Sequence, residues 1–151
     1  MTGLFELKTS RDLYLKVKKD CKEFFENPSD YNLFNLVTTL SHLRDWTHPE
    51  SYKKYEKKSF KDLTENEKIH KELHENKSYI IIRELCNNSK HYNNKKIADR
   101  SKVTTGFYFG SNKFGDKFGH RNYLIDDIDL RVTINEVLNI YDKYFKNINN
   151  I

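Results

Sequence analysis

Two short stretches of this chain combine groups that exchange protons with groups that hold anions. Ser41–His48 carries His42, Arg44, Asp45 and His48 beside Trp46, and Arg83–His91 carries Arg83, Asn87, Lys90 and His91. In a helix His42 and Asp45 share a face, as do Arg44 and His48, while Arg83, Asn87 and His91 fall at i, i+4 and i+8 along one stripe. A guanidinium grips phosphate through two parallel N–H donors. An imidazole titrates near neutrality and moves a proton. Asn87 offers directional hydrogen bonds, and Asp45 is placed to orient His42. Arg44, His42, Asp45, Arg83, Asn87 and His91 are therefore the candidate catalytic residues. Their chemistry is metal-independent RNA cleavage through the 2′-hydroxyl. The plainer account makes His42–Asp45 an ordinary salt bridge and Asn87–His91 a polar helix end.

The elements that must position these groups are legible from apolar spacing. Leu13, Val17, Cys21, Phe24 and Phe25 predict a helix over 10–26 capped by Ser10, with Asn27-Pro28 ending it. Ser29 then caps a helix over 30–47 whose buried stripe is Leu33, Leu36, Val37, Leu40 and Leu43, with Pro49 ending it. A charged connector over 50–63 holds Tyr52, Tyr55 and Phe60, and its Lys53, Lys54, Lys57 and Lys58 are either solvent-facing or phosphate contacts. Thr64-Glu65-Asn66-Glu67 has the form of a capping box. The helix it opens either continues or bends into a second run with Tyr79, Ile82 and Cys86 as its core stripe, ending near His91. A second such box, Thr133-Ile134-Asn135-Glu136, predicts a last helix over 134–148 with Val137, Ile140, Tyr141, Tyr144 and Ile148 on one face.

Between these helices the periodicity changes. Val103-Thr104-Thr105 with Phe107-Tyr108-Phe109 reads as a strand, and Tyr123-Leu124-Ile125 with Ile128–Val132 reads as a hairpin turning at Asp126-Asp127. The stretch from Lys95 to Arg121 holds the chain's entire net charge of +5, interleaved with Phe107, Tyr108, Phe109, Phe114 and Phe118. Cations beside stackable rings suit single-stranded nucleic acid. Lys90, Arg100, Lys102, Lys113, Lys117 and Arg121 are the candidate nucleic-acid contacts. The plainer account is a hairpin whose rings cover the bundle and whose lysines keep it in solution.

Length and composition limit the classes. The 151 residues are read as one domain, a mainly α, up-and-down bundle of four to five helices with a small β insertion at about 100–132, before the last helix. Ten Phe and ten Tyr supply large buried area, and five Gly with two Pro disfavour a turn-rich fold. Cys21 and Cys86 lie on apolar stripes and read as reduced core residues, not a disulfide framework. The first residues lack the apolar core of a leader, and no apolar run reaches membrane-spanning length. The expectation is a cytoplasmic, soluble protein with no membrane partner. His70 and His74 have the i, i+4 spacing of metal ligands, but Glu72 is displaced from the zincin position; a solvated face is expected, with no metal and no cofactor.

A helical bundle bearing Arg and His at helix ends resembles the HEPN superfamily of prokaryotic defence and toxin ribonucleases. The resemblance implies a homodimer whose cleft holds an Arg followed, four to six residues on, by a His. Here Arg44 and His48 have three intervening residues and Arg83 and His91 have seven; Asp45 matches the polar residue that often follows that Arg. The resemblance implies an RNA-binding protein or ribonuclease of prokaryotic or phage conflict. The alternative is a non-enzymatic interaction module, an antitoxin-like adaptor or inhibitor with a protein partner.

Overall fold

The computed structural model describes residues 3–91, 95–105 and 120–148. Over them the order is α1 (Ser10–Glu26), α2 (Asp30–Thr47), two 3-10 turns (Tyr52–Lys54 and Phe60–Asp62), α3 (Glu65–Glu75), α4 (Lys77–Lys90), the one-turn α5 (Lys95–Ala98), β1 (Ser101–Thr105), β2 (Arg121–Ile125), β3 (Ile128–Asp129) and α6 (Leu130–Ile148). This is a mainly α bundle with a small antiparallel sheet before its last helix, as the spacing predicts.

Each helix starts where a side chain satisfies the free N–H groups of the first turn. The Thr9 hydroxyl accepts from the Asp12 N–H at 3.1 Å and the Asp12 carboxylate accepts from the Thr9 N–H at 2.8 Å, so the cap of α1 is Thr9, not Ser10. Ser29 caps α2 by accepting from the Asn32 N–H at 3.1 Å. The Thr64–Glu67 box closes in both directions, at 3.2 and 2.9 Å, and opens α3. Asn76 settles whether α3 and α4 are one helix. Its N–H donates to the Leu73 carbonyl at 3.2 Å, ending α3, while its side chain accepts from the Tyr79 N–H at 2.9 Å, starting α4.

The core is built from the stripes read in the sequence. α2 packs between α1 and α4, and α6 lies against α4, α3 and α1. Leu36, Val37, Leu40 and Leu43 meet Tyr79 and Ile82 of α4 and Val137, Tyr141 and Tyr144 of α6 in one buried cluster. Leu33 packs against its edge, and Ile148 is exposed. Both cysteines are buried free thiols, and burial pushes the Cys21 thiol up to about 11. No helix among the described residues is long and apolar enough to cross a membrane.

The sheet has the order β1-β2-β3, antiparallel throughout. Asp126 and Asp127 both have positive φ, 51° and 62°, the backbone of a two-residue hairpin turn that matches strand twist. β2 is buried from Asn122 to Ile125, whereas β1 forms an exposed edge. Tyr123 ties the sheet to the bundle: its ring meets Phe24 edge-on and its hydroxyl donates to Asp30 Oδ1 at 2.7 Å. The expected strand over Ile128–Val132 keeps only its first two residues, and α6 begins four residues before the predicted start. Asp129 is the reason. Its carboxylate accepts from the Arg131 N–H at 2.8 Å and holds the buried Arg131 guanidinium at 2.7 Å, which turns the chain into helix at once. The expected strand at Phe107–Phe109 lies outside the described residues.

Candidate functional site

α2 delivers Arg44 half-buried in its last turn, beside Pro49, where the chain leaves the helix. The connector that follows puts its first 3-10 turn against α3. That contact is aromatic. Tyr52 stacks on His74 with ring centres 4.0 Å apart and a 21° tilt, and meets Tyr55 edge-on at 5.5 Å. Tyr55 in turn lies 5.5 Å from both His48 and His70, and those two imidazoles stand 5.8 Å apart. His70 and His74 sit one turn apart on α3, so one helix supplies an inner and an outer imidazole to the same stack. Above the outer one opens a hollow of about 440 Å³ lined by Arg44, Pro49, Glu50, Ser51, Tyr52, Lys53, Glu56 and His74.

Burial and positive charge set the state of these imidazoles. His70 is wholly buried. Burial first, then the charges of Arg44 and His48, push its pKa down to about 4, against the pull of Asp45. His74 is lowered too, by burial first and then by the guanidinium groups of Arg83 and Arg44, with Glu56 and Glu75 opposing. Both are therefore neutral at pH 7. Burial also raises Tyr79 to about 12, and its hydroxyl donates to the Ser41 carbonyl at 3.2 Å. Several polar atoms here have no hydrogen-bond partner among the described residues: both His70 nitrogens, His48 Nε2, His74 Nδ1 and the Tyr55 and Tyr141 hydroxyls.

The predicted site residues divide. Arg44 lines the hollow; Arg83 does not, although the charges of both arginines bear on His74 and on Tyr79. The histidine on the hollow's wall is not one of the expected ones. His42 is exposed and does not line the hollow, and Asp45 is engaged by Arg44 at 3.1 Å (Nε) and 2.5 Å (Nη2) instead of orienting it. His91 is exposed past the last turn of α4, where its N–H donates to the Asn88 carbonyl at 3.3 Å, and Asn87 is exposed on α4. His74 takes their place on the wall, with His48 and His70 packed around Tyr55. His70 is buried on α3 with Ile69 and Leu73, one turn before the more accessible His74.

Of the expected nucleic-acid contacts, Arg100 is held by Glu84 at 3.2 Å and by both oxygens of Asp126, so it clamps the β2–β3 turn to α4. Lys102 lies 3.9 Å from Asp127. Lys90 and Arg121 are exposed, and Lys113 and Lys117 lie outside the described residues. Among the described residues no three His, Cys, Asp or Glu side chains converge as metal ligands.

Two other hollows lack this chemistry. One of about 430 Å³ lies between α4, α6 and the β2–β3 turn, where Arg100 is paired with Asp126 and Glu84, and Ser78 with Glu136. The other, about 170 Å³, is an apolar groove between α2 and α4. No family model, curated protein or solved structure matches the chain significantly.

Proposed function

We propose that the bundle acts on RNA at the Arg44–His74 hollow, as a metal-independent endoribonuclease. The observation that carries this reading is the placement of His74, a neutral imidazole on the wall of an open hollow that Arg44 and Lys53 also line. A neutral imidazole is a base at pH 7. It takes the proton of a ribose 2′-hydroxyl, and that oxygen attacks the adjacent phosphorus. The bond to the 5′-oxygen breaks, leaving a 2′,3′-cyclic phosphate and a 5′-hydroxyl. Arg44 keeps Nη1 clear of its bond to Asp45 and offers it to the phosphoryl oxygens, where charge grows in the transition state. The Lys53 ammonium, on the same wall, supplies the proton to the departing oxygen. Tyr52, stacked on His74, holds the ring plane while its hydroxyl donates to Glu75 at 3.2 Å. A HEPN-like role in prokaryotic defence or phage conflict extends this reading through the resemblance carried by Arg44, Asp45 and His48.

The test is incubation of pure protein with labelled total RNA, with and without EDTA. Cleavage to 2′,3′-cyclic ends in both, lost in His74→Ala, is the expected result. An intact RNA pool at every pH from 5 to 9, on the order of the range over which imidazole titrates, would remove the enzyme reading.

A second reading, a non-enzymatic interaction module, has its own observation. Tyr31 is 84% and Phe34 51% exposed on α2, beside the groove formed with Leu33, Val37 and Leu85. Protruding rings next to an apolar groove make a docking face, and the occupant proposed for it is a second copy of this chain. Phe34→Asp is then expected to shift the protein to monomer in sedimentation while leaving its melting unchanged.

A further inference from the structure

We infer that the connector between α2 and α3 is a track for single-stranded RNA, leading the strand away from the hollow along Lys57, Phe60 and Lys61. The inference rests on the reading of the hollow as an RNA site and names the form of RNA that it takes.

The connector over 50–63 carries five lysines against Glu50, Glu56 and Asp62. Two of the lysines are tied, Lys54 to Glu50 at 3.5 Å and Lys58 to Glu67 at 2.8 Å. Lys53, Lys57 and Lys61 are exposed and make no ion pair among the described residues. Lys53 is at once part of the connector and part of the hollow's wall, and the connector presents two more unpaired lysines further along the chain, Lys57 and Lys61. Glu56 faces the hollow and Asp62 lies beside Lys61 in sequence. They lower the net charge of the stretch without pairing with these three cations.

Phe60 decides the kind of strand. It is 64% exposed in the second 3-10 turn, flanked in sequence by the connector lysines, and the Lys68 ammonium stands 5.5 Å from its ring centre. An apolar ring held out in water beside cations is a stacking platform for a base. Bases in a duplex are already stacked and paired, so only an unpaired strand can use it.

The experiment measures two things on the full chain. Fluorescence anisotropy follows a labelled single-stranded oligouridine, a duplex RNA of equal length and polyglutamate across a salt series. Separately, cleavage of a ribodinucleotide, too short to leave the hollow, reports on the hollow alone. The variants are Phe60→Ala and the double exchange Lys57→Glu with Lys61→Glu. The expected result is roughly a tenfold loss of oligouridine affinity in each. The double exchange should also flatten the salt slope by about 1.4, since each phosphate contact contributes about 0.7 on a single strand. Dinucleotide cleavage and melting temperature should not change. Wild-type affinity for oligouridine in both variants would overturn the track while leaving the hollow to be judged by the dinucleotide. Equal losses for oligouridine, duplex and polyglutamate would overturn it as well, because the connector would then be a general cationic surface suited to an acidic protein. Loss of dinucleotide cleavage in His74→Ala tests the hollow independently of either result.

Discussion

At the scale of single residues, the two histidines of α3 have opposite consequences. His74 is partly accessible and lines the hollow, where the proposed reading makes it the base. His74→Ala should abolish cleavage while changing RNA affinity little, because a proton-transfer group contributes mainly in the transition state. Its pKa lies below the ordinary 6.5, so kcat should rise with pH through a value under 6.5. A rising limb above pH 7 would assign the base elsewhere. Arg83→Ala should move that limb upward, since one charge that lowers His74 is gone. His42→Ala and His91→Ala, both exposed and off the hollow's wall, should leave the rate near wild type. His70 works through stability instead. Its pKa is about 4 folded against 6.5 unfolded, so the unfolded chain binds the extra proton first as pH falls. Stability is complete above 6.5 and declines toward pH 4, by at most about 3 kcal/mol. His70→Leu should lose this acid dependence in urea melts at pH 7 and pH 4.5. Arg44 was legible because it ends a strong apolar stripe. His70 and His74 were not, because i, i+4 imidazoles beside Lys71 and Glu72 look like a solvated face, and only the fold reveals that α3 turns one of them inward.

At the scale of elements, α1 and α2 were read to within a residue. Asn27-Pro28-Ser29 is a stop and a cap in sequence, and nothing distant competes with it. Leu40, 0% exposed at the middle of α2, meets α4 and α6. Leu40→Ala should cost roughly 2–5 kcal/mol in denaturant melts, and an unchanged midpoint would mean α2 is rotated. The start of α6 was misread for a physical reason. Thr133-Ile134-Asn135-Glu136 has the form of a capping box, but Thr133 is buried inside the helix and Glu136 pairs with Ser78 of α4. The real start is set by Asp129, which the tight turn places opposite Leu124. That is a tertiary fact with no local signature. Asp129→Ala should lower the denaturation midpoint, because it removes the carboxylate that holds the buried Arg131 guanidinium at 2.7 Å and accepts from the Arg131 N–H.

At the scale of the whole molecule, charge is distributed differently from the way the sequence suggests. The stretch from Lys95 to Arg121 holds the net +5 on paper, yet Arg100 is spent on Asp126 and Glu84 in fastening sheet to helix. Arg100→Glu should therefore lower the melting temperature, whereas charge reversal at Lys57 and Lys61 should not. The contrast separates cations that brace the fold from cations that face solvent. The bundle was legible because helix–helix packing writes a periodic record in the sequence. The site draws on α2, the connector and α3, and no period spans all three.

Asn76 alone joins the two helices, closing the end of α3 and capping the start of α4, which leaves no slack between them. A single inserted residue there would turn α4 by about 100° relative to α3, swinging Tyr79, Ile82 and Cys86 off the core and Arg83 away from His74. The connector over 50–63 has no such rigidity, and its length can drift without rotating any long helix. Insertions and deletions in descendants of this chain should therefore accumulate before Thr64 and be absent at Asn76, so that the spacing from His74 to Arg83 stays fixed while the spacing from Arg44 to His74 varies.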